Sequence, residues 1–553
     1  MTPSRVARAR SAARWRRASA AVIVLAGLAL RLGLMERDGL WADEVFSLAM
    51  ATGHSLEHPA ARADPARGDF VESSLPRPAS DYARYLAHES PPAGPSAVIR
   101  AVLLSDTSPP LYYLTLWAWT RAVGTSDAAL RLFSITWWSA CLWPLTVIAR
   151  RVGGPRAILP ALFLFCASPL NLYHATEGRM YSMLWFLALV VAMLTLDLHR
   201  ERLWAWRLGA WIAASAAGFL THYFFAFPWA ACLAWLLIHP GRSRRAVVLG
   251  ATALTFAAIS PWYLRVPESL AAWRVTRDWL KAPSRVPILP RSVARLAWNY
   301  VAPWAWGKWS TWTEVTLVVS VAMMASRIGR RWFSAPRRLL WAWLLASLLG
   351  PVVFDQLRGT NTVNYIRYAI SGMPAAHLLL AVGWARLGAA TRLALAVAFL
   401  VPWSVGTLNI YREYRDFEPL RRVGRILAED ARDSDLVIIH SIPSGVAGVS
   451  RYMARHEGAT RAIAVAPWVG QLGRRRVPED IASLVAGRAR VRLLLIHTVG
   501  EPAPEGDWLR RNATFLGSRR FDVVPLGGRR LDGVEVFDFA PNDPPRAPSG
   551  EGR

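Results

Sequence analysis

The sequence predicts a polytopic α-helical membrane protein, with about 11–13 transmembrane helices and a small C-terminal α/β domain. Three observations carry that reading. The 553 residues are 53% hydrophobic, with mean hydropathy +0.22 and 28 tryptophans, more apolar than an ordinary soluble chain. Apolar runs of roughly 17–25 residues, the length that crosses a bilayer core, recur through residues 1–410. From 411 to 553 the pattern changes to short apolar strands between helical stretches, the mark of a soluble domain.

The first span begins behind Arg5, Arg8, Arg10, Arg14, Arg16 and Arg17 and runs from about Ala18 to Met35. No small-residue cleavage pattern follows it, so it reads as an uncleaved helix with a cytoplasmic N-terminus. Further basic clusters fall at Arg150-Arg151 with Arg156, Arg200 to Arg207, Arg242 to Arg245, Arg327 to Arg338, and Arg386 with Arg392. Placing them all in the cytoplasm gives eleven crossings near 18–35, 127–149, 157–173, 179–198, 206–221, 223–239, 245–263, 312–328, 337–355, 368–386 and 391–410. The C-terminal domain is then extracytoplasmic. Segments 111–123 and 294–306 are short and rich in Trp and Tyr, so they read as interfacial helices. Counting both as spans would give thirteen crossings.

Net charge is +27, and only Lys281 and Lys308 are lysines. Arginine in short loops between apolar segments is the positive-inside pattern, and it argues against nucleic acid as a partner. Arginine bias with lysine scarcity points to a GC-rich bacterial genome, hence a plasma membrane. Cys141, Cys166 and Cys232 lie in apolar runs without disulfide or metal spacing.

Two loops and the tail complete the organisation. The first outer loop, about 37–110, is long and rich in Pro, His and acids, a length that usually signals function or disorder. The loop at about 264–293 carries Arg265, Arg274, Arg277 and Lys281 with Trp273 and Trp279. It suits either a phosphate site or a segment lying on the bilayer. In the tail, a helix near Arg421–Ala431 precedes strands at Leu436–Ile439, Ala462–Ala466, Arg492–Ile496 and Val534–Phe539. No Gly-rich phosphate loop follows any of them.

The groups able to do chemistry sit at span ends. Asp43-Glu44 follows the first span: one carboxylate suits a general base and its neighbour a pKa-tuning or metal-binding partner, unless the pair only caps a helix. Asp106, in Ser105-Asp106-Thr107-Ser108-Pro109-Pro110-Leu111-Tyr112-Tyr113, is a second acid in the same loop, or part of a helix start signal. Tyr173, His174, Glu177, Arg179 and Tyr181 crowd one junction, where Glu177 and Arg179 are either functional or a snorkelling pair. His222 and Arg367 sit at two more junctions and suit contact with an anionic head group. The derived topology puts Asp43, Asp106, Glu177, His222 and Arg367 all near the outer surface, and the mid-span regions are apolar apart from Arg31. A transporter would place such groups near the midplane.

These stretches resemble the polyprenyl-phosphate-sugar-dependent glycosyltransferases of the GT-C superfamily, in the protein mannosyltransferase-like and aminoarabinose-transferase-like branch. Trp41-Ala42-Asp43-Glu44, Ser108-Pro109-Pro110-Leu111-Tyr112-Tyr113, Leu130-Arg131-Leu132 and Tyr173 to Tyr181 carry the resemblance, with Thr221-His222-Tyr223, Pro261-Trp262 and Arg367-Tyr368 in support. It covers about residues 18–410. Where the family often has His before the Pro-Pro pair, this chain has Thr107-Ser108. The resemblance implies Asp43, Glu44 and Glu177 as the catalytic acids, and Asp106, Tyr173, Arg179, His222 and Arg367 around the donor phosphate and substrate. It implies a polyprenyl-phosphate-linked sugar as donor, a hexosyl or pentosyl transfer to an envelope acceptor, and at most a weakly held divalent cation at Asp43 and Glu177. The alternative is a polyprenyl-phosphate or lipid transporter or flippase.

Overall fold

The computed structural model describes residues 3–35, 39–57, 63–106, 108–200, 205–239, 245–271, 289–304, 310–326, 334–412, 419–457, 462–496, 503–521 and 533–542. Among the described residues, every segment read as a crossing is largely helical. In chain order the helices of the first part are α1 (Pro3–Leu34), α2 (Ala42–Ala51), α3 (Ala79–Ala83), α4 (Pro95–Ser105), α5 (Leu111–Val123), α6 (Asp127–Gly153), α7 (Ile158–Ala167), α8 (Pro169–Ala175) and α9 (Tyr181–Arg200). They continue with α10 (Ala205–Phe219), α11 (Ala226–Ile238), α12 (Arg245–Tyr263), α13 (Val266–Ala271), α14 (Leu289–Asn299), α15 (Ser310–Ser326), α16 (Ala335–Arg358), α17 (Met373–Trp384) and α18 (Ala389–Arg412).

Among the described residues, six helices are long and apolar enough to cross a membrane, and the bent pair ending in α8 makes a seventh if it is one span. The chain is a multi-pass membrane protein. The bend of 61° between α7 and α8 falls at Ser168-Pro169, where proline removes a backbone donor and the Ser168 hydroxyl caps the new helix at Asn171 N–H. Helix α5 has 13 residues, too few to span a core about 30 Å thick at about 1.5 Å per residue. The described part of the second short segment is α14 and the turn that follows it; residues 305–309 lie outside the description.

One buried charge lies in the last turn of the first span. Arg31 is fully buried, donates to the carbonyls of Gly27 (2.8 Å) and Cys166 (3.0 Å) and to the Asn171 side chain, and stacks 3.8 Å over Trp138. Backbone carbonyls freed near the α7–α8 bend thus satisfy a guanidinium that lipid would not. Arg31 joins α1 to α6, α7 and α8.

The tail adds α19 (Leu420–Glu429), α20 (Pro443–Ala454), α21 (Glu479–Val485) and α22 (Pro504–Asn512). Its sheet has six strands, β1 (Arg77–Pro78), β2 (Asp435–His440), β3 (Ala464–Trp468), β4 (Arg490–Leu495), β5 (Ala513–Phe521) and β6 (Val534–Pro541), in the order β1-β3-β2-β4-β6-β5. The β3-β2-β4 centre is parallel and its flanks antiparallel. Successive residues of β2 serve opposite faces, as a strand's period of two requires. Leu436 and Ile438 pack with Ile481, Leu484 and Leu509 of α21 and α22. Val437 and Ile439 join Leu420, Val423 and Leu427 of α19 in a core continuous with that of the membrane helices. Both faces are covered, which is why β2 reads as an unbroken apolar run.

Four of these strands match the sequence expectation; β5 and β1 do not appear in it. Strand β5 is mostly exposed and carries Ser518-Arg519-Arg520, so it shows no apolar alternation. Strand β1 is two residues of the outer loop that extend the sheet through β3.

That loop is bound to the tail along much of its length. Glu72 accepts the Val469 N–H (2.7 Å), and Glu457 accepts the N–H groups of Ala79 and Ser80, which open α3. The tail is also fastened to the bundle at one acid. Asp127, at the start of α6 and 2% exposed, is paired with Arg421 (2.7 Å), Arg451 (3.0 Å) and Arg455 (3.6 Å), and accepts the Tyr452 hydroxyl (2.8 Å). Tyr452 in turn accepts the Leu40 N–H (2.7 Å), which ties the tail to the chain just ahead of Asp43.

Candidate active site

The turn that presents the first acids is built by backbone and by one buried ion pair. Gly39 has φ +75°, a conformation that glycine adopts without a Cβ clash, and the chain then enters α2 at Ala42. Glu44 lies in the first turn of α2 and reaches back to the Trp41 N–H (3.4 Å). Both its oxygens also face Arg131 of α6: Nε to Oε1 at 3.0 Å and Nη2 to Oε2 at 2.8 Å. Neither side chain is exposed. Arg131 spends its remaining donors on the carbonyls of Met35 (3.2 Å) and Gly39, closing the exit of α1. Two charges this deep cost desolvation, and fork-to-carboxylate geometry with backbone partners offsets that cost.

Glu44 Oε1 accepts one further donor, the Gly178 N–H, at 2.8 Å. That bond brings the junction before α9 against the turn before α2. The approach is close: a Cβ on Gly178 would lie 2.5 Å from Leu130 Cγ. Glycine is therefore dictated here by space.

With Glu44 turned inward, Asp43 points to the cations. Its Oδ2 lies 2.8 Å from Arg367 Nη1 and 3.8 Å from Arg179 Nε. Arg179 also donates to Ser47 Oγ (3.2 Å) and the Asp43 carbonyl (3.3 Å), and lies 3.6 Å from Asp106. Asp106 accepts the hydroxyls of Tyr113 and Ser108, each at 2.8 Å. Arg367 stacks between Tyr365 and Tyr368, each ring 5.3 Å away. Asp43 and Asp106 keep a quarter to a third of their side-chain surface open (25% and 31%), whereas Arg179 is nearly enclosed.

His222 completes the group. Its Nδ1 accepts the Phe224 N–H (3.0 Å), so the neutral ring carries its proton on Nε2. Burial, and then the positive charge of Arg179, pull its pKa down to about 4, against a smaller opposing effect of Asp106. His222 is thus an uncharged donor beside two guanidinium groups.

The structure brings Asp43, Asp106, Arg179, His222 and Arg367 together. It sets three expected residues apart from them. Glu44, paired with Asp43 in the sequence as a catalytic acid, is buried and saturated by Arg131 and Gly178, so its geometry is that of a brace. Glu177 is buried with His174 Nδ1 2.8 Å from its Oε2, and the His174 ring packs edge-on against Tyr181, 4.9 Å away. Tyr173 packs with Leu34, Ile410, Trp41 and Trp304 in an apolar group on the α1 and α18 side; α8 ends at Ala175, so Glu177 lies beyond the helix that carries Tyr173. Arg131 and Asp127 were not foreseen as site-building residues. A charged residue at the start of, and one turn into, an apolar span was the available signal. Residues 272–288, the core of the basic aromatic loop, lie outside the description. Among the described residues, no three His, Cys, Asp or Glu side chains gather as metal ligands, and Asp43 already has arginine partners.

No family model and no curated protein matches the sequence. Solved structures do. ArnT from Cupriavidus metallidurans in the apo state aligns with TM-score 0.57 over 95% of this chain and 98% of its own, at 12% identity. The chain has the GT-C fold. The same ArnT bound to undecaprenyl phosphate aligns with TM-score 0.54 over 94% and 97%, also at 12% identity. The apo oligosaccharyltransferase of Archaeoglobus fulgidus aligns with TM-score 0.48 at 11% identity, over 86% of this chain and 69% of that one. At 12% identity, what this chain shares with ArnT is the fold.

Two outcomes follow from the geometry. Gly178→Ala forces Leu130 aside and should destabilise the protein by about 1–3 kcal/mol, read as a lower thermal midpoint. His222 has a folded pKa below its unfolded one, so the unfolded chain binds the extra proton between about 6.5 and 4, and stability falls as pH drops through that window. His222→Asn should flatten that part of the curve of thermal midpoint against pH, and an unchanged curve would contradict the assignment.

Proposed function

We propose that this protein moves a monosaccharide, hexosyl or pentosyl, from a polyprenyl-phosphate donor to an envelope acceptor on the outer side of a bacterial plasma membrane. Its N-terminus is then cytoplasmic and its C-terminal domain extracytoplasmic. The observation that supports this best is a carboxylate one quarter open to solvent, Asp43, held against two guanidinium groups where helices of a GT-C bundle begin. Base and phosphate-binding cations in one place are what transfer from a lipid phosphate requires. ArnT, which shares the fold, has been seen with undecaprenyl phosphate bound.

In this reading the acceptor hydroxyl or amine attacks the anomeric carbon and gives its proton to Asp43. The bond from that carbon to the phosphate oxygen breaks, and polyprenyl phosphate leaves with the electron pair, so configuration inverts. The arriving phosphate draws Arg367 from Asp43, which frees the carboxylate to act as base. Arg179 and the Nε2–H of His222 share the charge that develops on the leaving oxygen, and Asp106 holds Arg179 in place. Glu44 and Glu177 are positioning residues. Arg179 and Arg367 already face Asp43 and Asp106, so at most a weakly held divalent cation enters this reading. A transporter would need its polar groups deep in the bundle, and here they sit at helix ends.

Purified protein in nanodiscs, given a labelled polyprenyl-phosphate sugar and an acceptor extract, should release polyprenyl phosphate. Asp43→Asn should slow the release about 10²–10⁴-fold while the fold is kept. Equal release by the variant would refute Asp43 as base.

A further inference from the structure

Away from the Asp43 cluster, four arginines converge on a small cavity of the tail. It holds about 130 Å³ and is lined by Arg421, Arg422, Arg425, Tyr452, Arg455 and His456. Two helices build it. Arg421, Arg422 and Arg425 lie on α19, with Arg425 four and three residues beyond the other two, while Tyr452 is in the last turn of α20 and Arg455 and His456 directly follow that helix. The helices meet closely because Gly424 has no side chain: a Cβ there would lie 2.8 Å from Tyr452 Cβ and 2.9 Å from the Val449 carbonyl. This contact draws the two basic faces together. Arg421 and Arg455 both stack on the Tyr452 ring, at 5.5 and 4.9 Å.

The charge is lopsided. With Arg451 beside them, five arginines stand against two carboxylates, Asp127 and Glu429. Asp127 is buried beneath the cavity, and Glu429 meets Arg425 across 3.7 Å with both side chains 59% exposed, a weak pairing. Guanidinium groups stay charged at any working pH, so a cluster of this kind carries mutual repulsion that a tetrahedral oxyanion relieves and a fork geometry fits. Location narrows the source. The cavity sits over Asp127, where α6 enters the bundle, and just after α18, the last membrane helix.

We propose that this cavity is a phosphate-binding site at the membrane surface, separate from the Asp43 cluster. It takes a phosphate group, from a lipid head group or from solution, gripped by Arg422, Arg425 and Arg455. Through Tyr452, which bonds both Asp127 and Leu40, the bound anion sits beside the turn that leads to Asp43. The proposal does not rest on the glycosyl-transfer reading.

The test uses the full chain in phosphatidylcholine nanodiscs, and it reads binding alone. One arm dopes the discs with phosphatidic acid, read by native mass spectrometry; the other titrates inorganic pyrophosphate, read by a shift in thermal midpoint. Arg422→Gln with Arg425→Gln, both exposed and neither bonded to Asp127, should weaken the binding by about tenfold or more and leave the unliganded midpoint unchanged. Arg510→Gln with Arg511→Gln, an equal loss of charge on α22, should leave binding intact. Loss confined to the lipid arm or to the pyrophosphate arm supports the site and names the source. No binding in either arm, or equal weakening by both double variants, overturns it.

Discussion

The site depends on one buried ion pair. Arg131 and Glu44 join four parts of the chain that are remote in sequence: the exit of α1, the start of α2, the body of α6 and, through the Gly178 N–H, the turn before α9. Each of those parts delivers something to the cluster. The start of α2 brings Asp43, and the turn before α9 brings Arg179. Because Glu44 is saturated, its neighbour Asp43 is the acid left facing the cations. Adjacent carboxylates on a helix start point in different directions, and here the packing gives one to structure and the other to the open side.

A second buried acid repeats the device on a larger scale. Asp127 gathers three arginines and a tyrosine from α19 and α20, and so fixes the tail against the first turn of α6. Four residues, about one helical turn, separate Asp127 from Arg131 along α6. One end of that helix therefore holds both the turn that carries Asp43 and the tail domain, and Tyr452 bonds to both sides through Asp127 and Leu40. The outer loop is held between them, stitched to the sheet by β1 and by Glu72 and Glu457.

Much of this was legible in the sequence because it is written in local patterns. Hydrophobic runs located every described span, and short apolar or alternating stretches located β2, β3, β4 and β6. The positions of Asp43, Asp106, Glu177, His222 and Arg367 near one inferred side grouped them, and of these Glu177 turns instead to His174. What was not legible depended on distant partners. Nothing near Glu44 says that Arg131, 87 residues on, would bury it. Nothing near Tyr173 says that Trp304 and Ile410 would enclose it. Strand β5 shows no alternation because it lies at a sheet edge, and β1 takes only two residues of a loop.

The most direct test of the account is a double-mutant cycle on the buried pair, with Glu44→Leu, Arg131→Met and the double replacement compared by unfolding. Either single change strands a charge in an apolar site and should cost about 3–5 kcal/mol, while the double change, which removes both charges, should be more stable than either single. Costs that simply add would contradict the claim that these two residues hold the site together.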